Sequence, residues 1–393
     1  ANEVWFANRG LAHAQLFGAS VGFYQGRKPD GSFRFAPDRF DPLVWGRDFT
    51  ETSAWGQAFH APHDGAGLAA LLGGEQALAA KLDEFMATPA TVRPAMYGGY
   101  NHATHEMREA QDCGIGQLAM SNQPAHHIPF MYLFCGQPSK TQWLTREVLD
   151  KAFVGSEIGQ GYPGDEDNGE MSGWWLFAAM GLYPLFVGGG ELAITSPLFE
   201  KMAWNRPDGT RLEIRATGVE HRYIQSVRIN GERWTACTVP AELLRGNALV
   251  EFELGPEPSS WGSGSRPWSA STSTGTPRTW QADRTKQAVL NGHEALVDDE
   301  GRDIVGLDVG DVVELSWPEP FEPSFLTLTS PEVEAPALRV EVRHGDAWTD
   351  SGIAPRATQH PDQTAAYRFD AGLVDGLRLV PTGPTKLSQI EVY

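Results

Sequence analysis

The stretch GYPGDEDNGEMSGWWLFAAMGLYP, residues Gly161 to Pro184, decides how the fold and chemistry of this chain are interpreted. It begins with three consecutive acids between glycines and continues into an apolar segment with two adjacent tryptophans. The segment is apolar nearly all round, which predicts a buried helix that ends near Gly181 and Pro184. The acids of the preceding loop would then lie at the mouth of a core. Like charges and burial alter proton affinity there, as they do at catalytic sites.

The bulk composition excludes several classes of protein. In 393 residues, 50 acids outnumber 31 bases and give a net charge of -19, which argues against nucleic acid or an anionic membrane surface as the main partner. No apolar run approaches the roughly 18 residues of a membrane-spanning helix. Cys113, Cys135 and Cys237 are too scattered for a disulfide framework or a zinc knuckle, and we expect them to be buried apolar side chains.

The first residues, ANEVWFANRGLAHAQLFG, have no charged segment followed by an apolar core, so they are not a signal peptide. They are typical of the interior of a helical domain, as if the chain were cut from something longer.

Helical patterns run through residues 1–188. In EQALAAKLDEFMA, Leu78, Leu82 and Phe85 share one helix face, and in SKTQWLTREVLDKAF we expect Ser139 to be the N-cap. Long loops rich in Gly, His, Asn and acids connect these helices, which favours a site built at helix ends.

The periodicity changes after the helical part. Residues 189–262 alternate apolar with polar residues between turn signals, which predicts an antiparallel β region. Residues 263–285 are rich in Ser, Gly and Pro, as a flexible linker is. Residues 286–393 show short alternating strands, typical of a separate β-sandwich module.

Four clusters of polar residues in the helical part are hard to explain by packing alone. In chain order they are Glu51 with Trp55, His60, His63 and Asp64; His102 with His105, Glu106 and Glu109; Asn122 with His126 and His127; and Asp165 with Asp167. On a helix, His105 and Glu109 would share a face at a spacing suited to a common metal or polar ligand. Each cluster also has an ordinary structural interpretation: a solvated glutamate, hydrogen-bonded histidines, or an acidic loop that caps the next helix.

Hydrolysis of a glycosidic bond needs two carboxyl groups flanking it, and the inverting mechanism separates them by roughly 6.5–9.5 Å to admit a water. Glu51 belongs to one loop and the pair Asp165 and Asp167 to another, so they can provide that gap. Neighbours within a single loop could not. Trp55 and nearby tyrosines would supply apolar faces for a sugar ring. The residues by themselves favour a helical enzyme with carboxylate chemistry on carbohydrate.

The segment GDEDNGEMSGWWLFAAMGLYP closely resembles the signature of glycoside hydrolase family 92, the calcium-dependent exo-acting α-mannosidases. Further motifs similar to those of the family follow in the same order: NRGLAHAQLF, TETSAW with APHD, THEMREA, NQPAHHIPF, ITSPLFEKMAW and YIQSVRINGERW. The similarity covers about residues 5–262.

This resemblance implies an α and β multidomain protein: an (α/α)6 helical barrel, of which residues 1–188 are a portion, followed by the antiparallel β region that completes the catalytic unit and by an accessory C-terminal β-sandwich module. It also implies inverting hydrolysis of terminal α-mannose with Ca²⁺ as cofactor. The expected substrate is a mannose-containing glycan, α-1,2-linked, of the N-glycan or mannan type. Full-length members carry an N-terminal β-sandwich, so we expect a missing N-terminal domain or fragment as a partner. Such enzymes meet glycans outside the cytoplasm, so we expect a secreted or extracytoplasmic protein.

The resemblance assigns roles by motif position. Glu51 falls where the family places its general acid. Asp165 and Asp167 fall on the pair that activates the attacking water, with Asp167 as the main base. His105 and Glu106 match the pair that holds the leaving sugar in members acting on α-1,2 links.

The other assignments concern binding and support. Glu109 falls near a position implicated in binding calcium, and His102, Asn122 and Trp55 are expected to contact substrate. Glu166 is expected to point away from the site and to be structural.

Some positions depart from the family pattern. Gln123 stands where many relatives carry glutamate, and Thr52 and Ser53 follow Glu51 where the family has Gly and Asn. These changes keep open a mannosyl-phosphodiester hydrolase, whose good leaving group needs no general acid, although a retained Glu51 favours ordinary glycosides. A glycan-binding protein without turnover is a further alternative, against which the retained acids argue.

Overall fold

The computed structural model describes residues 2–28, 30–153, 161–273, 278–298, 301–368 and 371–393. The chain divides into two compact units, residues 13–278 and residues 1–12 together with 279–393. No described helix combines the length and the apolar character needed to cross a membrane.

The described residues form seven α-helices, which have between 4 and 15 residues each. They are α1 Asn2–Gly10, α2 Ala54–Gln57, α3 Gly65–Leu72, α4 Glu75–Ala87, α5 His105–Cys113, α6 Pro138–Ala152 and α7 Glu170–Met180. The mixed α and β class expected from the sequence is confirmed. These helices are fewer than a complete (α/α)6 barrel contains, so the barrel itself stays a prediction.

Local signals account for most of the helix ends. Helix α4 buries Leu78, Leu82 and Phe85, as the periodicity predicts. Helix α6 begins at Pro138, and no side chain caps it. The prediction of Ser139 as its N-cap is wrong, because proline is well suited to the first helical position and the helix begins there, with Gln137 as the N-cap residue.

Helix α7, the apolar segment that follows the acidic loop, is buried on one face only. It ends at Gly181 as predicted, and Met171 and Trp174 lie in the core. Leu176, however, is 44% exposed and borders a groove that is also lined by Met202 and Trp204. The expectation of a helix buried all round is therefore wrong: an apolar sequence can place one face on the core and leave the other at a groove.

The described residues also form 20 strands, of which ten lie in the first unit, residues 13–278. They are β1 Phe17–Gly18, β2 Phe23–Tyr24, β3 Leu182–Tyr183, β4 Glu191–Ile194, β5 Lys201–Asn205, β6 Arg211–Thr217, β7 Tyr223–Ile229, β8 Glu232–Trp234, β9 Thr238–Pro240 and β10 Ala248–Gly255. The largest sheet has the order β5-β6-β10-β7-β8.

The β region is not purely antiparallel, which corrects the sequence prediction. Val250 of β10 pairs with Ile229 of β7 in the antiparallel sense, but it pairs with Ile214 of β6 in the parallel sense. The reason is topological. The chain inserts β10 between β6 and β7, which run in opposite directions, so β10 must be parallel to one of them.

The segment after this sheet is ordered by specific hydrogen bonds, unlike the flexible linker expected for residues 263–285. Arg266 pairs with Glu75 at 2.7 Å, and the backbone N–H of Trp268 donates to Glu191 at 2.7 Å. Ser269 is buried. Residues 274–277 of the expected linker lie outside the described residues.

The second unit contains the remaining ten strands. They are β11 Val289–Leu290, β12 Val305–Leu307, β13 Val313–Phe321, β14 Phe325–Ser330, β15 Leu338–His344, β16 Ala347–Asp350, β17 Gln363–Arg368, β18 Val374–Pro381, β19 Thr385–Leu387 and β20 Gln389–Val392. The antiparallel sheets β11-β13-β18-β15-β16 and β17-β14-β20 share one apolar core. Helix α1 belongs to this unit rather than to the helical part, since Trp5 donates to Glu391 at 2.9 Å.

Candidate active site

Glu51 lies just before the short helix α2, and its two following neighbours are structural. Ser53 is the N-cap of α2, and its Oγ accepts a hydrogen bond from the Gly56 backbone N–H at 3.4 Å. Thr52 and Ser53 are both buried, whereas Glu51 is exposed. The two departures from the family pattern therefore face the core and not the solvent side on which Glu51 lies.

The backbone of Glu51 is held in an unusual conformation. Its φ of 58° lies in the left-handed region, which costs about 1–3 kcal/mol for a residue other than glycine. Two hydrogen bonds offset this cost: the Glu51 N–H donates to the Tyr100 hydroxyl, and the Glu51 carbonyl accepts from Nδ2 of Asn122. Asn122 is buried, so it is a fixed anchor for the Glu51 loop.

Tyr100 reaches Glu51 because the chain comes very close at Gly46. A Cβ atom on Gly46 would lie 2.5 Å from Cε2 of Tyr100, and Gly46 has a φ of 61°. Only glycine fits both requirements. Sequence reasoning missed Tyr100, since no local pattern connects it with a residue at position 51.

The acidic loop is shaped by four positive φ angles. Gly164 has a φ of 72°, and a Cβ there would lie 2.6 Å from Cβ of Ser121. Asp167, Asn168 and Gly169 follow with φ values of 51°, 62° and 93°. This turn exposes Asp167 directly before helix α7.

The three acids of the loop have different surroundings. The Asp167 carboxylate accepts a hydrogen bond from Nε2 of Gln123. Asp165 is exposed, and its charge helps to raise the pKa of His105. Glu166 instead accepts from the Ser172 backbone N–H at 3.0 Å, which lowers the pKa of the Glu166 carboxyl. Glu166 therefore caps the start of α7, which confirms its expected structural role.

His105 lies between two glutamates at the start of helix α5. Its Nδ1 lies 3.2 Å from Glu109, and its Nε2 lies 3.2 Å from Glu106. Burial acts to lower the pKa of His105, but the hydrogen bond to Glu109 and the charges of Glu106, Glu109 and Asp165 outweigh it and raise that pKa. The structure thus brings His105, both glutamates and Asp165 into one electrostatic cluster.

Glu106 has an oxygen that no described residue satisfies. The residue is only 8% exposed, and Oε2 has no hydrogen-bond partner among the described residues, whereas Oε1 lies 3.2 Å from Nε2 of His105. An unpaired buried carboxylate oxygen is costly. It is therefore a good acceptor for a hydroxyl group that enters the site.

Comparison with known proteins gives this site its context. Residues 1–256 match the model of the glycosyl hydrolase family 92 catalytic domain, which is more than half of the chain. The chain belongs to glycosyl hydrolase family 92. An inverting mannosidase of family 92 from Bacteroides thetaiotaomicron is 34% identical, covers 65% of this chain and 34% of its own, and has a TM-score of 0.54.

Two further proteins are similar to this chain. A family 92 α-mannosidase from Bacteroides thetaiotaomicron has a TM-score of 0.60 at 22% identity, over 71% of this chain and 34% of its own, and shows the likeness of fold alone. An uncharacterized secreted glycosidase from Arthroderma benhamiae is 27% identical over 261 residues, which are 62% of this chain and 30% of the relative. The chain therefore spans about a third of the length of these relatives.

Not every residue expected at the family 92 site lies in it. Trp55 is only 3% exposed and packs edge-to-face on Phe23 with a centroid distance of 4.7 Å. Lys81 Nζ lies 4.2 Å from the centre of the Trp55 ring. The expectation that Trp55 contacts a sugar is wrong, because no ring face is free.

His102 and Asn122 were expected to contact substrate. The exposed His102 bonds through Nδ1 to the Tyr100 carbonyl at 2.7 Å, so it belongs to the loop that supports Glu51. Asn122 is buried and engages the Glu51 carbonyl. Both residues thus hold the Glu51 region, and a direct contact between either of them and substrate stays a prediction.

The remaining histidines of these clusters have structural partners. His126 lies 2.9 Å from the Met120 carbonyl, and His127 lies 2.7 Å from the Phe59 carbonyl. Burial lowers the pKa of His127 to about 3, and the charge of His60 acts in the same direction. The ordinary interpretation of hydrogen-bonded histidines therefore applies to both.

Calcium binding was expected at Glu109. Within the described residues, no group of three or more His, Cys, Asp or Glu side chains is arranged to hold a metal ion, and Glu109 is paired with His105. Calcium prefers six to eight oxygen ligands, and an imidazole beside the carboxylate is a poor substitute. Calcium sites also use backbone and amide oxygens, and a role of Glu109 in binding calcium stays a prediction.

Proposed function

We propose that this chain carries the acid and the base for inverting hydrolysis of terminal α-mannose. The observation that carries the proposal is that two neighbouring amides hold the backbone of the Glu51 loop and the carboxylate of Asp167. Asn122 holds the carbonyl of Glu51, 71 residues earlier, and Gln123 holds the carboxylate of Asp167, 44 residues later. Two acids from separate loops at one place are what an inverting glycosidase needs.

Each carboxyl group would have one role in a single displacement. The Glu51 carboxyl donates a proton to the glycosidic oxygen as its bond to the mannose C1 breaks. Asp167 accepts a proton from the water that attacks C1 on the opposite face. The product is β-mannose, and both carboxyl groups return to their starting protonation through solvent.

Asp165 and the His105 cluster would support this reaction. Asp165 has the second carboxylate of the loop, close enough to His105 to influence its pKa. Glu106 Oε2, which has no protein partner among the described residues, would accept a hydroxyl of the leaving sugar. This arrangement supports a preference for α-1,2-linked mannose in N-glycans or mannan.

Calcium dependence enters the proposal only through family membership. No step above depends on the ion. Assaying the chain with calcium and then with a chelator shows whether the protein requires the ion.

The setting of the reaction is also a proposal. The relative from Arthroderma benhamiae is described as a secreted glycosidase, and we infer the same extracytoplasmic location for this protein.

The deciding experiment follows α-1,2-mannobiose by proton NMR during hydrolysis. If β-mannose appears first and then mutarotates, the inverting mechanism is supported. If α-mannose appears first, the mechanism is retaining and the assignment of Asp167 as base to water is wrong. If no mannose forms, the proposed activity of this chain is wrong.

A further inference from the structure

The segment Asn122–Gln123 has a rigid backbone. The Asn122 N–H donates to the Ala119 carbonyl at 3.0 Å, and the Asn122 carbonyl accepts from Ala125 at 3.0 Å. The Gln123 carbonyl accepts from the N–H of His126 at 3.0 Å, so residues 123–125 form a single helical turn. Ala125 and His126 are buried. The two amide side chains thus start from a fixed base.

The two amides point to different loops. Asn122 is bonded to the carbonyl of Glu51, and Gln123 is bonded to Oδ2 of Asp167. The Cα atoms of Asn122 and Gln123 are consecutive and therefore about 3.8 Å apart. While both hydrogen bonds persist, the Glu51 loop and the Asp167 loop cannot separate further than the lengths of the two amide side chains allow. The pair therefore limits the distance between the acid loop and the base loop.

Asp167 depends on Gln123 for this connection. Among the described residues, the Gln123 amide is the one group that hydrogen-bonds the Asp167 side chain, and the Asp167 carbonyl bonds only locally, to Glu170 at 3.3 Å. The backbone of Asp167 is left-handed, with a φ of 51°. Without the Gln123 amide, no side chain of the described residues would hold this exposed carboxylate to the rest of the site.

The chemistry of Gln123 suits a base that must be ionised. Its Nε2 can only donate, and an ionised carboxylate can only accept. The bond engages Oδ2, which leaves Oδ1 without a described partner and available for a water. A glutamate at position 123 would place two acceptors against each other.

We infer that Gln123 is a positioning residue for Asp167, and that Gln123 and Asn122 together set the separation between acid and base. The expected effect on kcat rests on the proposed function, whereas the tethering of the Asp167 loop does not. Gln123→Met keeps the length of the side chain and removes the donor. Gln117→Met is the matched control, since Gln117 donates to the Pro89 carbonyl at 2.8 Å outside the site.

The kinetic test uses the full chain and α-1,2-mannobiose. For Gln123→Met we expect kcat to fall about 10- to 100-fold, with KM within about threefold, because displacement of a catalytic group by about 1 Å costs that much. Gln117→Met should stay within about twofold of wild type in both constants. If kcat of Gln123→Met also stays within twofold, Gln123 does not position the base and the inference is wrong.

A second variant separates positioning from general damage. A protonated glutamate can donate to Asp167 as the amide does, whereas methionine cannot. The activity of Gln123→Glu relative to Gln123→Met should therefore rise as the pH falls. A ratio that does not change with pH contradicts a donor role.

A measurement that does not depend on enzymatic activity distinguishes failure of this inference from failure of the proposed function. Amide hydrogen exchange of residues 164–169 should be at least about tenfold faster in Gln123→Met than in wild type, because opening of the loop is no longer opposed by the bond. If the wild-type chain proves inactive but exchange accelerates, the tether stands and the mannosidase proposal falls. Equal exchange in wild type and variant overturns the tether whatever the activity.

Discussion

The ring of Tyr100 lies against the backbone of Gly46, so closely that a Cβ on Gly46 would be 2.5 Å from Cε2 of the ring. The hydroxyl of the same ring accepts the backbone N–H of Glu51. A glycine without chemistry of its own thus determines where the Glu51 loop is supported.

We expect Gly46→Ala to displace Tyr100 and to lower both stability and activity. Its Cβ clashes with an aromatic ring, and its φ of 61° disfavours alanine. The free energy of unfolding should fall by about 2–4 kcal/mol, as overpacking and backbone strain together do. Urea unfolding and kcat on α-1,2-mannobiose measure the two effects.

Gly31→Ala is the control for Gly46→Ala. Gly31 also has a positive φ, 78°, but no atom lies within 4 Å of a Cβ there. The Gly31→Ala variant should lose only about 1 kcal/mol of its free energy of unfolding and keep its activity. Equal losses in the two variants would mean that backbone conformation, and not the contact with Tyr100, explains the effect.

Glu51→Gln tests the general acid. Its rate on an unactivated α-mannoside should fall about 10²- to 10⁴-fold, because the amide cannot protonate the glycosidic oxygen. α-Mannosyl fluoride, whose leaving group needs no proton, should be affected much less. A variant that keeps full activity on the glycoside would mean that another group is the acid, and a variant that keeps its activity only on a mannosyl phosphodiester would favour the phosphodiester alternative.

Asp167→Asn tests the base, with Glu166→Gln beside it as control. Loss of the carboxylate at position 167 should reduce kcat about 10²- to 10⁴-fold. Glutamine at position 166 can still accept the hydrogen bond from Ser172, so that variant should stay close to wild type. If kcat falls as much in Glu166→Gln as in Asp167→Asn, the roles assigned to Glu166 and Asp167 are wrong.

His127 makes the folded protein less stable in acid. Its pKa is lowered from 6.5 to about 3, mainly by burial, so the unfolded chain binds a proton at that histidine well before the folded chain does. The free energy of unfolding is not reduced by this histidine above pH 6.5, and it decreases as the pH falls from 6.5 toward 3. By pH 4.5 the loss is on the order of 2–3 kcal/mol.

Urea unfolding at pH 7 and pH 4.5 measures this dependence. His127→Gln keeps a donor for the Phe59 carbonyl but does not titrate, so its stability should fall less between the two pH values than that of wild type. The same fall in both proteins would show that His127 is not the group responsible.

The segment after the β region should contribute to stability. Ser269 Oγ donates to Asp64 at 2.6 Å in a buried position. Ser269→Ala should lower the free energy of unfolding by about 1–2 kcal/mol. Ser273→Ala removes an exposed hydroxyl of the same segment and should change it by no more than about 0.5 kcal/mol. If both substitutions change the free energy of unfolding by the same negligible amount, the segment behaves as the flexible linker that the sequence predicts.

Much of this picture follows from the sequence. The order of the motifs is sufficient for the family, because several short patterns at compatible spacing are far more specific than any one. Helix faces such as Leu78, Leu82 and Phe85 follow from periodicity alone. Asp167 is recognisable because acids in a glycine-flanked loop before an apolar helix are hard to explain by packing, whereas the role of Glu51 is implied by the resemblance of its motif to the family.

Other features depended on which distant segments meet. Trp55 looked like a sugar platform but lies in the core, and β10 looked like one more antiparallel strand but also has a parallel neighbour. Periodicity reports which face of an element is apolar, and it says nothing about the element that covers that face.

The sequence by itself determined which residues can donate or accept protons and which local conformations they can adopt. The tertiary structure alone decided that Asn122 reaches Glu51 and that Gln123 reaches Asp167. The physical reason is that a hydrogen bond acts over about 3 Å in space, whereas its partners here lie tens of residues apart in the chain.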